Sequence, residues 1–223
     1  MPRPKRTELS STSFALLGLL ASRGPGWTAY ELARQMSRSL RYLWPRAERN
    51  LYDDVKLLAE RGYARTRDDS VGRRRRTLYT ITPRGQRALR AWLASPPAPL
   101  LLESEALLHV FFAEHGTLDD LLAAVRSVRD EARTTQTEVA ALVADYDTDG
   151  GPFPERLHVI ALMGKMLHLH RRALIEWADW AEAEVQRWSS TTLGDGARVP
   201  PKVFGEIAAA GARASTTPAS PRA

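Results

Sequence analysis

A chain of 223 residues, 43% of them apolar, is long enough for one large or two modest domains and can bury a core, which argues against general disorder. It contains no cysteine, so disulfides, thiolate metal sites and cysteine nucleophiles are excluded together. The formal charge of +6 conceals an asymmetry, +12 over residues 1–95 and −6 over 96–223, so only the first half suits a polyanion.

The stretch from Met1 to Ser11 is basic and polar and reads as no signal peptide. The longest apolar runs, such as Phe14 to Ala21, fall well short of the ~20 residues a membrane span needs. A soluble cytoplasmic protein is expected, with no membrane partner. Leu9 to Ser22 carries apolar residues at Leu9, Leu16, Leu17 and Leu20, a helical stripe that Gly24-Pro25-Gly26 stops. A second helix opens at Thr28, where Glu31 completes a capping box. Its inward stripe is Leu32, Ala33, Met36 and Leu40. A third helix follows Trp44, with Pro45 in its first turn, Ala47, Leu51, Val55, Leu58 and Ala59 facing inward, and Gly62 as the stop. The period then changes. Tyr63 to Arg67 and Thr77 to Thr82 read as strands, and Asp68 to Arg76 between them as a hairpin tip carrying four consecutive arginines. Thr82-Pro83 opens a fourth helix in which Leu89, Trp92 and Leu93 share a face.

Ser95 to Pro99 marks a boundary, because proline there breaks any continuing helix. Three helical stretches follow. One spans about Glu103 to Glu114, with Leu107, Leu108, Phe111 and Phe112 on one side. The next runs from Leu118 to about Tyr146, with Leu118, Leu121, Val125, Val128, Val139, Leu142 and Tyr146 spaced much like a coiled-coil seam. The last covers Pro154 to Trp188. Beyond Thr192 the composition turns to Gly, Ala, Pro, Ser and Thr, and a mostly disordered tail is expected. The fold class is therefore mainly α. A winged helix-turn-helix of three helices and a two-stranded wing occupies residues 1–95, a helical domain whose seam suits a dimer or an internal contact 96–192, and a tail 193–223.

With the apolar stripe of the third helix buried, Arg46, Arg49, Asn50 and Asp53 fall together on its opposite face. Arginine can take guanine O6 and N7 in a fork, and asparagine adenine N6 and N7, when such a helix enters the major groove. A solvated polar face is the plain alternative. The run Arg73, Arg74, Arg75 and Arg76 shifts the balance, because adjacent like charges repel and are relieved by phosphates or the minor-groove potential. Arg3, Lys5 and Arg6 read either as a basic arm or as a loose terminus.

Five motifs resemble the PadR-type transcriptional regulators: Leu16-Leu17-Gly18-Leu19-Leu20, Gly26-Trp27-Thr28-Ala29-Tyr30-Glu31-Leu32, Trp44-Pro45, Leu51 to Tyr63, and Arg76 to Gly85. They cover roughly Ser13 to Leu93 in order. Phe111-Phe112 and Glu176-Trp177 resemble, more loosely, the longer C-terminal domain of one branch. The resemblance implies a homodimeric repressor that a small aromatic effector loosens from a pseudo-palindromic operator on double-stranded DNA. It places Tyr52 near the phosphate backbone and Gly72-Arg73 at the wing tip. With Lys56, the DNA-binding set is then Arg46, Arg49, Asn50, Tyr52, Asp53, Lys56 and Arg73 to Arg76. One departure matters: Pro96 stands where some multidrug-binding relatives carry a ligand-stacking tryptophan, so that drug pocket is not carried over. The alternative from another class is a winged-helix adaptor that docks on protein and has no specific DNA target.

His168 and His170 point about 200° apart on a helix and cannot chelate one ion together. His109, His115 and His158 have no carboxylate at a ligand spacing, so no metal or cofactor is expected. Trp177, Trp180 and Trp188 read as core or dimer packing; an effector pocket drawing on Trp92, Trp177 and Trp180 is the competing reading. No phosphate loop and no set of nucleophile, base and orienting partner is present, so an enzyme is not expected.

Overall fold

Ser10 starts the first helix, α1 (Ser11–Ala21), by accepting the Ser13 N–H at 3.0 Å. The computed structural model describes residues 9–24, 26–45, 51–71, 74–149 and 153–216, and the chain divides between Leu101 and Leu102 into two compact units. The second helix, α2 (Ala29–Gln35), has the capping box its sequence predicts. Glu31 N–H donates to Thr28 Oγ1 at 3.1 Å, and the Glu31 carboxylate accepts the Thr28 N–H at 2.8 Å. The helix continues as a π-helical turn, Met36–Leu40, in which the Ser39 hydroxyl donates to the Gln35 carbonyl at 2.8 Å.

Burial alone would raise the Glu31 pKa, but the Thr28 N–H and hydroxyl and the charges of Arg23 and Arg76 bring it below the usual glutamate value. A depressed carboxylate adds stability above its unfolded pKa and loses it as pH falls through the folded one. Thr28→Ala is therefore expected to cost about 1 kcal/mol, read from the urea midpoint at neutral pH. On acidification the native protein should lose this margin, whereas Glu31→Gln, which caps without titrating, should not.

The third helix, α3 (Leu51–Glu60), buries Leu51, Val55 and Leu58, as its periodicity predicts; Ala47 lies outside the described residues. It ends in a Schellman arrangement: Tyr63 N–H reaches the Leu58 carbonyl at 2.9 Å and Gly62 N–H the Ala59 carbonyl at 3.0 Å. Gly62 takes a φ of 71°, open to glycine without strain.

Two antiparallel strands follow, β1 (Ala64–Val71) and β2 (Arg74–Ile81). Trp27 adds a third, one-residue rung to β2, exchanging backbone hydrogen bonds with Tyr79 at 2.9 and 2.7 Å. The strands run further than the sequence reading allowed, because Asp68 to Ser70 and Arg74 to Arg76 belong to the ladder rather than to a tip. Cross-strand pairing of unlike charges supports strand residues that have poor intrinsic β propensity. Helix α4 (Pro83–Ala94) is capped by Thr82, whose hydroxyl accepts the Gly85 N–H at 3.1 Å. The core of this unit is Leu16, Leu17, Leu20, Leu32, Met36, Val55 and Leu58, all essentially fully buried.

The second unit begins with α5 (Glu105–Phe111), capped by Ser104, and a short 3-10 turn over Ala113–His115. Two long helices, α6 (Leu118–Asp149) and α7 (Leu157–Val185), then form an antiparallel pair. Buried Leu121, Val125, Val128, Ala132, Thr135 and Val139 recur at alternate spacings of four and three, so Ala132 and Thr135 fill the gap in the seam read from the larger residues. The facing positions on α7 keep the same alternation through Gly164, Leu167, Arg171, Leu174, Ala178, Ala181 and Val185. Arg126 and Arg129 bond Glu182, the first at 2.7 Å, and Arg129 reaches Asp179 at 3.2 Å, which fixes the register of the pair.

Helix α8 (Val203–Thr216) lies in the stretch where the sequence reading expected no regular structure. Its Ala-rich core, Ala208 to Ala210, has the highest intrinsic helix propensity. Low apolar bulk in the tail pointed away from a packed domain, yet a helix does not require one. Among the described residues, no helix is long and apolar enough to cross a membrane.

Candidate nucleic-acid interface

The outer side of α3 is polar because its inner side is committed to the core. Tyr52, Asp53 and Lys56 are exposed, Tyr52 at 51%, while Leu51 and Val55 beside them are buried. Arg46, Arg49 and Asn50, which the sequence assigned to the same face, lie outside the described residues. Asp54 points partly inward; burial raises its pKa above the ordinary aspartate value, and the neighbouring Asp53 charge adds to this.

The hairpin carries the second group of basic residues. Its register sets Asp69 opposite Arg76, Ser70 opposite Arg75 and Val71 opposite Arg74. Successive strand residues point to opposite faces, so Arg75 and Arg76 do not act side by side. Arg75 is exposed. Arg76 grips Asp69, its Nε and Nη2 lying 2.7 and 2.6 Å from the same carboxylate oxygen. The Arg76 bond, the Ser70 N–H and nearby Arg67 hold Asp69 below the usual aspartate pKa. The expectation that the arginines stand mutually unrelieved therefore fails at Arg76. Arg73 lies outside the described residues, and β2 begins at Arg74.

Two exposed arginines on the hairpin and two on α2 and its π-helical extension escaped the sequence reading. Arg65 donates to Thr80 Oγ1 across the ladder at 3.0 Å, and Arg67 sits one rung pair further out. Arg34 and Arg38 are exposed one turn apart on the helix before α3. The signal was present in the alternation of charged residues from Arg65 to Asp69, which a tip assignment discards.

The three tryptophans assigned to an effector pocket do different things. Trp92 stacks on Phe14, with ring centroids 5.0 Å apart and planes within 5°, joining α4 to α1 in the first unit. In the second unit Trp177 packs against the cluster of Leu121, Val125, Ala178, Ala181 and Val185, whereas Trp180 is 45% exposed. No group of three or more His, Asp or Glu among the described residues could hold a metal ion.

Residues 16–91, the span that runs from within α1 to within α4 and includes the hairpin, match the transcriptional regulator PadR-like family. The chain carries a PadR-like domain. A curated relative, the Probable transcriptional regulator Rv1176c of Mycobacterium tuberculosis, is 30% identical over 73 residues, 32% of this chain and 39% of the relative. The chain thus matches well under half the length of that relative. Among solved structures, Bacillus subtilis PadR in complex with operator DNA superposes with a TM-score of 0.65 at 17% identity, covering 79% of this chain and 99% of that one. PadR of the same organism in complex with p-coumaric acid gives 0.61 at 16% identity, covering 78% and 98%. The Vibrio cholerae virulence activator AphA gives 0.61 at 22% identity, covering 79% and 98%. At such identities the likeness establishes the fold, a PadR-like one with an N-terminal winged helix and long C-terminal helices. It reaches beyond the family match into the α6–α7 pair, since it covers nearly four fifths of the PadR-like chain.

Proposed function

We propose that this protein is a sequence-specific, DNA-binding transcriptional regulator that acts as a homodimer and represses until a small aromatic effector releases it. The observation that carries the DNA-binding reading is the pairing of an exposed polar face on α3 with a basic hairpin in one PadR-like domain. Base contacts fall to Arg46, Arg49 and Asn50, and to Asp53 on α3. Tyr52, Lys56 and Arg73 to Arg76 serve the phosphates.

The homodimer is supported by a second apolar stripe on α7. Val159, Met163, Met166 and Trp180, with Leu162 and Leu169 beside them, remain exposed outside the seam with α6. A helix with apolar residues on two sides has a second surface to cover, and closed twofold symmetry is the commonest way to cover it. A twofold dimer presents two recognition helices to two half-sites, hence a pseudo-palindromic operator. Aromatic release is supported by the fold neighbour bound to p-coumaric acid. Trp177 and Trp180 are the residues to probe first, since Trp92 is held in its stack on Phe14.

Fluorescence anisotropy with DNA flanking the gene, beside a shuffled duplex of equal length, tests the reading. Binding to the native fragment alone, weakened by Arg49→Ala, is the expected outcome. Equal binding to both duplexes, vanishing with modest salt, would favour the adaptor. Deleting the gene should raise transcription from the bound promoter; a fall would make the protein an activator.

A further inference from the structure

Alternation along the hairpin sorts its charges by face, and the two faces differ. Arg65, Arg67 and Asp69 of β1 share one face with Arg76, Leu78 and Thr80 of β2. The other face holds Asp68 and Arg75, whose formal charges cancel. Among the described side chains the first face therefore sets three arginines against a single carboxylate. That carboxylate is Asp69, and Arg76 is committed to it by both Nε and Nη2. A guanidinium so held offers its Nε–Nη2 edge to a phosphate only by exchanging one anion for another.

We propose that the face bearing Arg65, Arg67 and Arg76 is the one the hairpin turns to DNA phosphates, with Asp69 as an internal competitor that a phosphate must displace from Arg76. The inference rests on the DNA-binding reading above. It makes Asp69 a determinant of affinity. A complex seated so that a phosphate reaches Arg76 opens the pair, and a poorly seated one leaves it closed and forgoes a contact. The carboxylate lowers affinity for both, by up to the strength of the pair where a phosphate reaches Arg76 and by less where none does, so it acts as a brake on binding. An exposed ion pair is weak enough, at up to ~1 kcal/mol, for such an exchange to proceed readily.

The test is salt-dependent anisotropy of the full chain on a labelled mixed-sequence duplex of about 30 base pairs, which reads phosphate contacts without a known operator. Asp69→Asn should tighten binding by about three- to fivefold at low salt. Asp68→Asn, the same charge change one residue away on the opposite face, should gain far less. In an Arg76→Gln background Asp69→Asn should gain little more than Asp68→Asn does, and Arg67→Ala should lower the salt slope by about 0.9. Equal gains from Asp68→Asn and Asp69→Asn, or an undiminished gain without Arg76, would overturn the competitor. If the native chain binds no duplex even at low salt, the DNA reading itself fails. If it binds and Asp69→Asn is indifferent, only the present inference fails.

Discussion

Replacing Gly85 by alanine should destabilise the N-terminal unit by roughly 3 kcal/mol, although glycine to alanine inside a helix ordinarily gains up to about 1 kcal/mol. The reversal comes from where α4 begins. Thr82 donates its hydroxyl to the Gly62 carbonyl at 2.7 Å and its N–H to the Tyr63 carbonyl at 3.0 Å, so the first turn of α4 is pulled onto the junction between α3 and β1. A Cβ on Gly85 would stand 2.2 Å from the Tyr63 carbonyl oxygen and 2.8 Å from Ile81 Cγ1. A side chain could yield; a backbone oxygen inside a capping arrangement can do so only by undoing it. Gly18 in α1 is the matched control, because a Cβ there meets nothing within 4 Å. Urea unfolding followed by tryptophan fluorescence should show Gly85→Ala unfolding early and Gly18→Ala at or above the native midpoint. Coincident midpoints for all three proteins would mean that α4 does not seat this closely.

Placing carboxylates on the outer face of α7 should have the largest functional effect. Leu162 and Met166 are one turn apart, 70% and 39% exposed, and outside the seam with α6. Leu162→Glu with Met166→Glu therefore costs the isolated fold little but sets like charges against each other across the proposed twofold contact. Sedimentation should show a monomer at micromolar concentration. Operator affinity should fall by about a hundredfold or more, because each half-site then binds without the effective concentration supplied by the other. A double variant that remains dimeric and binds normally would remove α7 from the interface.

The sequence was most legible where a side chain satisfies the backbone locally. Thr28 with Glu31, Thr82 with Pro83 and Gly62 each announce a helix end, and the structure forms all three. The α6 seam was legible through its larger residues, while Ala132 and Thr135 were too small or polar to mark it. Reasoning failed on the outer hairpin, where Asp and Arg suggested a solvated loop. What keeps Asp69 and Arg76 in strand is their long-range pairing, which neither residue's own propensity reveals. Of the proposed DNA-binding set, the structure presents Tyr52, Asp53, Lys56 and Arg75 outward. Arg76 is engaged by Asp69, and exposed Arg65 and Arg67 join the set only once the register is known.

The α6–α7 pair is turned partly inside out. Its seam is built largely from small or short residues, among them Ala132, Gly164, Ala178 and Ala181, while Leu162, Met163, Met166 and Leu169 face outward. Small residues let the helices approach closely but remove little apolar area from water, and removed area is what stabilises such a pair. Two long helices joined in this way hold together weakly alone. In the proposed homodimer a second copy would cover part of that outer face, so the stability of the pair would rise with protein concentration by mass action. Assembly would then add to the stability of this half, and the amount of protein present would set how much of it can act.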